Sequence, residues 1–122
     1  MLVFSVSNWL VCLTSVAYHQ GRPFLSHAAV AAYDCDAGYG NPSGHAWFAS
    51  LFPCLLFLAR FHPVEGLETR RPLAYFVWLF VAFAFMLLVG ISRVYNGAHA
   101  INQVIYGFSW GIYVALVAHF VV

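Results

Sequence analysis

The sequence predicts an all-α fold, a polytopic membrane helix bundle of about four transmembrane helices forming a single membrane-embedded domain over residues 1–122. Composition is the first reason: 63% of residues are hydrophobic and 7% charged, with a mean hydropathy of +0.81. A soluble domain carries about a quarter charged residues. The second reason is a set of four apolar runs, each near the ~20 residues that cross a bilayer as a helix. The third is that polar residues gather between those runs, around Arg22, Ser43 and Arg93. A net charge of +1, with every basic residue an arginine, excludes an electrostatic nucleic-acid binder, which would show a basic patch. Cys12 and Cys54 fall in apolar runs and Cys35 in a polar loop, an odd total that argues against a disulfide framework.

Leu2–Tyr18 is the first run. Ser15-Val16-Ala17 resembles a signal-peptide cleavage site. No positive charge precedes the apolar core, however, and Asn8 interrupts it, so a membrane helix is preferred. Residues 19–45 form a polar loop in which 24–33 is apolar enough for a short interfacial helix. The second membrane helix is expected over 46–61, with Pro53 expected to kink it. Residues 62–72 form a loop with Glu65, Glu68, Arg70 and Arg71. The third helix is expected over 73–91, then a turn at Asn96-Gly97, then a fourth helix over roughly 98–122. His19, His27, His62 and His119 read as interfacial side chains, and Asp34 and Asp36 as solvated carboxylates.

Four crossings bring the first loop and the Ser92–His99 stretch to one face of the membrane. Arg60, Arg70 and Arg71 stand at the other face with both termini. The positive-inside rule makes that second face cytoplasmic, so the polar clusters meet on the lumenal or extracellular side.

Their chemistry suits an anion. In Gly40-Asn41-Pro42-Ser43-Gly44-His45, Pro42 and Gly44 favour a turn and Ser43 is a good N-cap for the following helix. The backbone N–H groups of that helix start make a seat for phosphate. Alone, the string reads equally as a polar turn between membrane helices. Arg22 and Arg93 add two guanidinium forks suited to phosphate oxygens. His45 and His99 add two imidazoles, which permits a double displacement: one attacks phosphorus, the other protonates the leaving oxygen and then activates water. Gln103, four residues after His99, shares its helix face, and its amide oxygen can accept from the imidazole N–H. A metal site is disfavoured, because no Cys/His cluster is present and two arginines would repel a cation.

Arg22-Pro23, Pro42-Ser43-Gly44-His45, and Ser92-Arg93 with His99 stand in the order and on the loops of a known pattern. They resemble the motifs of the type 2 phosphatidic acid phosphatase (PAP2) superfamily, which also holds glucose-6-phosphatase and the vanadium haloperoxidases. The resemblance spans nearly the whole chain. The branch it resembles most is the glucose-6-phosphatase one, through Asn8-Trp9, Cys35 and Gln103 at matching spacings. What this implies is a metal-independent phosphatase without cofactor, acting on a phosphorylated lipid or sugar in the bilayer. His99 would be the nucleophile that forms a phosphohistidine and His45 the general acid and base. Arg22, Ser43, Gly44 and Arg93 would bind the phosphoryl group.

Two departures qualify the pattern. Ser15 stands where the family has lysine. On a continuous helix Ser15 would share a face with Arg22, about 10 Å away, too far for serine to reach. The helices that precede the first motif in the family are absent, so the expectation is a truncated core that permits an oligomer. A catalytically weak relative that binds phosphate-bearing lipids is the alternative. A vanadate-dependent peroxidase shares the anion site but is soluble, unlike this composition.

Overall fold

In the computed structural model, which describes residues 2–31, 33, 38–62 and 72–121, the elements run α1 (Leu2–Tyr18), α2 (Pro23–Ser26), α3 (Gly44–Phe61), α4 (Pro72–Tyr95) and α5 (Ile101–Phe120). The stretches Leu2–Ser26, Gly44–Phe61, Leu73–Tyr95 and Ile101–Phe120 are long and apolar enough to cross a membrane, and no strand occurs among the described residues. The expectations placed on Asp34, Cys35, Asp36, Glu65, Glu68, Arg70 and Arg71 lie outside the described residues.

Each helix end near the polar clusters has a local cause. α1 stops where His19 turns into the left-handed region at φ 50, its N–H still bonded to the Ser15 carbonyl at 3.1 Å. The continuous helix from Ser15 to Arg22 is therefore not formed, and the two-turn spacing between them does not apply. Pro23 opens α2 at its first position, where a missing N–H is harmless. The interfacial helix expected over 24–33 is confined to Pro23–Ser26, since the chain beyond packs on the α4–α5 turn instead. The Tyr33 N–H donates to the Asn96 carbonyl at 3.3 Å.

α4 runs a turn past its expected end, because nothing between Ile91 and Tyr95 breaks a helix. Gly97 at φ 69 ends it, with the Asn96 and Gly97 N–H groups closing onto Ser92 and Val94. A side chain at Gly97 would meet the Ala31 carbonyl at 2.5 Å. Ser92 and Arg93 thus sit on the last turn of α4 and not in the loop.

The seam that fixes the bundle is α3 against α5. Gly107, Gly111 and Ala115 recur every fourth residue along α5 and let the two backbones approach closely. A Cβ at Gly107 would lie 2.5 Å from the Ser43 carbonyl, and one at Gly111 would overlap Ser50 Oγ and the Trp47 carbonyl. Ser50 Oγ donates across the seam to the Phe108 carbonyl at 3.0 Å. Trp47, Leu51 and Ala115 form the buried core, with Val3, Leu10 and Val11 of α1 packed against it. Trp47 also stacks on Trp110 at 5.6 Å. α4 joins through Trp78, whose indole N–H donates to the Pro53 carbonyl at 3.4 Å. The helix continues through Pro53.

Candidate active site

His99 is held from three sides. It lies in the short turn between α4 and α5, 4% exposed, its N–H bonded to the Arg93 carbonyl at 3.2 Å. Its Nδ1 stands 2.8 Å from the Gly40 carbonyl oxygen. A carbonyl only accepts, so Nδ1 carries the proton and Nε2 keeps a lone pair. That Nε2 receives Arg22 Nη1 at 3.5 Å. Arg22 is itself fixed by donating from Nη1 to the Ala98 carbonyl at 3.2 Å and from Nε to the Gly38 carbonyl at 3.3 Å. Burial lowers the His99 pKa from 6.5 to about 4. The charges of Arg22 and Arg93 press the same way, against the opposing hydrogen bonds of Gly40 and Gln103. The imidazole is therefore neutral at pH 7, with its lone pair on Nε2.

Gln103, 1% exposed, ties the loops together. Its Oε1 accepts from the Ala100 N–H at 3.1 Å and its Nε2 donates to the Gly21 carbonyl at 3.0 Å. The Gly40 carbonyl is the acceptor at Nδ1, and Gln103, expected as the acceptor for the imidazole, packs its amide against Gly40 and adds a hydrogen bond that acts on the His99 ring. The Gly40 N–H in turn donates to the Gln20 carbonyl at 2.7 Å. Ser43 is the N-cap of α3, its Oγ accepting from the Ala46 N–H at 3.4 Å, while its own N–H donates to the Gln103 carbonyl at 3.0 Å. Gly44 opens α3, where backbone N–H groups lack intrahelical acceptors. Arg93 is buried on the last turn of α4, and its charge is felt at His99.

His45 is placed differently. It is exposed on the first turn of α3, and with Gly44, Asn8 and Val11 it lines the mouth of an apolar groove of about 760 Å³ between α1, α3 and α4. The groove continues past Phe52, Trp78 and Phe85 to Leu56.

Arg22, His99, Arg93, Ser43 and Gln103 are thus gathered at one end of the bundle, and Gly44 and His45 stand beside them at the groove. Sequence reasoning missed the backbone acceptors: the carbonyls of Gly38 and Ala98 hold Arg22, that of Gly40 holds His99 and that of Gly21 holds Gln103, and a carbonyl has no sequence signature. The glycines were the available signal, since three of these four positions are Gly. Among the described residues, no group of three or more His, Cys, Asp or Glu side chains is disposed to hold a metal ion.

A bundle of membrane-length helices with a buried arginine and a pre-set imidazole at one polar end defines an integral membrane protein with a cationic, histidine-bearing seat. The chain belongs to the PAP2 superfamily, whose family model matches residues 1–122. It is 33% identical over 112 residues to glucose-6-phosphatase 2 of Homo sapiens, covering 88% of this chain and 31% of that protein. It is 34% identical over 78 residues to phosphatidylglycerophosphatase B of Bacillus subtilis (strain 168), covering 63% of this chain and 36% of that one. The crystal structure of a transmembrane PAP2-type phosphatidylglycerolphosphate phosphatase from Bacillus subtilis superposes with a TM-score of 0.76 at 25% identity, over 95% of this chain and 53% of that one. The chain therefore spans 31% and 36% of the length of the two curated relatives.

Proposed function

We propose that this chain forms the catalytic core of a metal-independent membrane phosphatase that cleaves a phosphomonoester or diphosphate through a phosphohistidine at the non-cytoplasmic face. The observation that carries this reading is the His99 geometry: Nδ1–H is committed to the Gly40 carbonyl and the Nε2 lone pair is turned to a buried arginine. Nε2 attacks phosphorus, the P–O bond breaks, and His45 gives a proton to the leaving oxygen. His45 then takes a proton from water as that water displaces His99 from phosphorus, releasing phosphate. Arg22 and Arg93, with Ser43 and the Gly44 N–H, hold the phosphoryl oxygens and neutralise charge as it develops. No metal or cofactor enters any step. The sequence positions of Arg60, Arg70 and Arg71 support the sidedness.

The groove points to a lipid phosphate within this reading. It begins at Gly44 and His45 and follows α3 to Leu56, about 18 Å of helix axis, which exceeds half of the ~30 Å hydrocarbon core. An alkyl chain fits that path, and a sugar gains nothing from it.

A phosphate-release assay on purified protein, with phosphatidate, a polyprenyl diphosphate and glucose 6-phosphate, tests the proposal. Expected is release in excess EDTA, inhibition by orthovanadate, and kcat/KM at least about tenfold higher for the tailed substrates. Activity lost in EDTA and restored by Mg²⁺ or Zn²⁺ would contradict the metal-free mechanism.

A second reading, lipid-phosphate binding with weak turnover, has one observation behind it. Ser15 stands on the last turn of α1, where the resemblance calls for lysine.

A further inference from the structure

We infer that Gly40 is a positioning residue for His99, which rests on the phosphohistidine reading above: its carbonyl sets the imidazole, and its lack of a side chain lets Gln103 close behind it. Three observations combine. The first is the 2.8 Å bond from His99 Nδ1–H to the Gly40 carbonyl. The second is that a Cβ at position 40 would lie 2.7 Å from Gln103 Oε1, 2.9 Å from Nε2 and 3.0 Å from Cδ, contacts too close to persist. The third is that Gln103 has nowhere to retreat. Its amide is buried and bonded at both ends, to the Ala100 N–H and the Gly21 carbonyl.

Elsewhere such a clash with the tip of a flexible side chain is relieved by a rotamer change. Here relief breaks two buried hydrogen bonds or pushes the 40-segment outward, and that push carries the carbonyl away from Nδ1. Gly40 does not have a positive φ, so no left-handed strain bars alanine there, and the three atoms nearest to an added Cβ all belong to Gln103. Position 40 is thus fixed by a neighbour and not by turn geometry. Loss of the carbonyl frees the imidazole to rotate or change tautomer, either of which removes the lone pair from the phosphoryl seat. A displacement of 1 Å at a reacting group costs about 10²-fold in rate.

The test is a double-mutant cycle with a spectroscopic readout. Gly40→Ala should lower kcat by about 10²-fold with little change in KM. Gln103→Ser makes room, so Gly40→Ala/Gln103→Ser should be no slower than Gly40→Ala alone. A double loss equal to the product of the single losses would overturn the coupling. In ¹⁵N-histidine spectra of the wild-type protein in detergent, His99 should be the Nδ1–H tautomer at pH 7, and Gly40→Ala should shift or broaden that signal. An Nε2–H tautomer in the wild type, or an unchanged His99 signal in folded Gly40→Ala, would overturn the assignment. Because the tautomer is read without turnover, a protein that hydrolyses nothing would sink the phosphatase reading and leave the role of Gly40 to be decided by the spectrum.

Discussion

The two histidines of the site stand in opposite surroundings. His99 is walled in by Gly40, Arg22 and the Arg93 backbone, on a turn that only a left-handed glycine closes. His45 is exposed on the first turn of α3, at the mouth of an apolar groove. The difference follows the tasks in the proposed mechanism. A nucleophile must present one nitrogen along one line, so a rigid and dehydrated setting serves it. A group that meets first a leaving oxygen and then water needs access to both, which a buried imidazole would lack.

Removing each histidine should expose that division. His99→Ala has the largest effect expected: turnover of every substrate falls more than about 10⁴-fold, because no other group forms the phosphoryl bond. His45→Ala should lower kcat/KM, which reports the phosphorylation step, by about 10²–10⁴-fold on an alkyl phosphate and much less on p-nitrophenyl phosphate, whose leaving group needs no proton. Equal losses of kcat/KM on both substrates would mean that His45 is not the acid. Ser15→Lys probes the α1 side and should accelerate turnover by at least about tenfold, since one added donor to developing charge brings about 10²–10³. An unchanged rate in a folded variant would show that the last turn of α1 does not border the seat.

The seam beneath both histidines can be broken apart from the chemistry. Gly111→Leu would drive a side chain into Ser50 Oγ and the Trp47 carbonyl, which are backbone and core. A loss of about 1–3 kcal/mol is expected, read as a lower melting temperature in detergent. At Gly90 the nearest atoms, Phe108 Cζ at 3.1 Å and Val104 Cγ1 at 3.2 Å, are side-chain tips, so Gly90→Ala should cost less. Equal shifts would mean that α3–α5 is not the organising contact.

The smallest effect is a pH dependence. His99 is held neutral, with its pKa at about 4 against 6.5 in the unfolded chain. The folded state therefore binds fewer protons between those values, so its share of stability is full above pH 6.5 and is lost as pH falls toward 4. The His99 ring signal should stay flat from pH 7 to pH 5. Titration near 6.5 would mean that the pocket admits water.

The spans, the N-cap at Ser43 and the meeting of Arg22 with His99 were legible because membrane helices are long, apolar and uninterrupted. Connectivity alone then decides which loops share an end. Two boundaries were not legible, for one physical reason. Residues 27–31 and Tyr33 gave up helix to pack on the Asn96-Gly97 turn, and α4 kept winding until Gly97 ended it. Both outcomes depend on a contact between distant segments, which local propensity does not contain. Gly40 was visible as part of a turn, but its carbonyl acts on a residue 59 positions away, and no side chain marked it.

The most direct test of the mechanism is to trap the intermediate. Protein mixed with a ³²P-labelled substrate and quenched in alkali should carry label on histidine in the wild type and none in His99→Ala. In His45→Ala, given a substrate with a good leaving group, the label should accumulate, because attack by water has lost its base. Continued turnover by folded protein with no label in either the wild type or His45→Ala would mean that water attacks phosphorus directly, and would contradict the account.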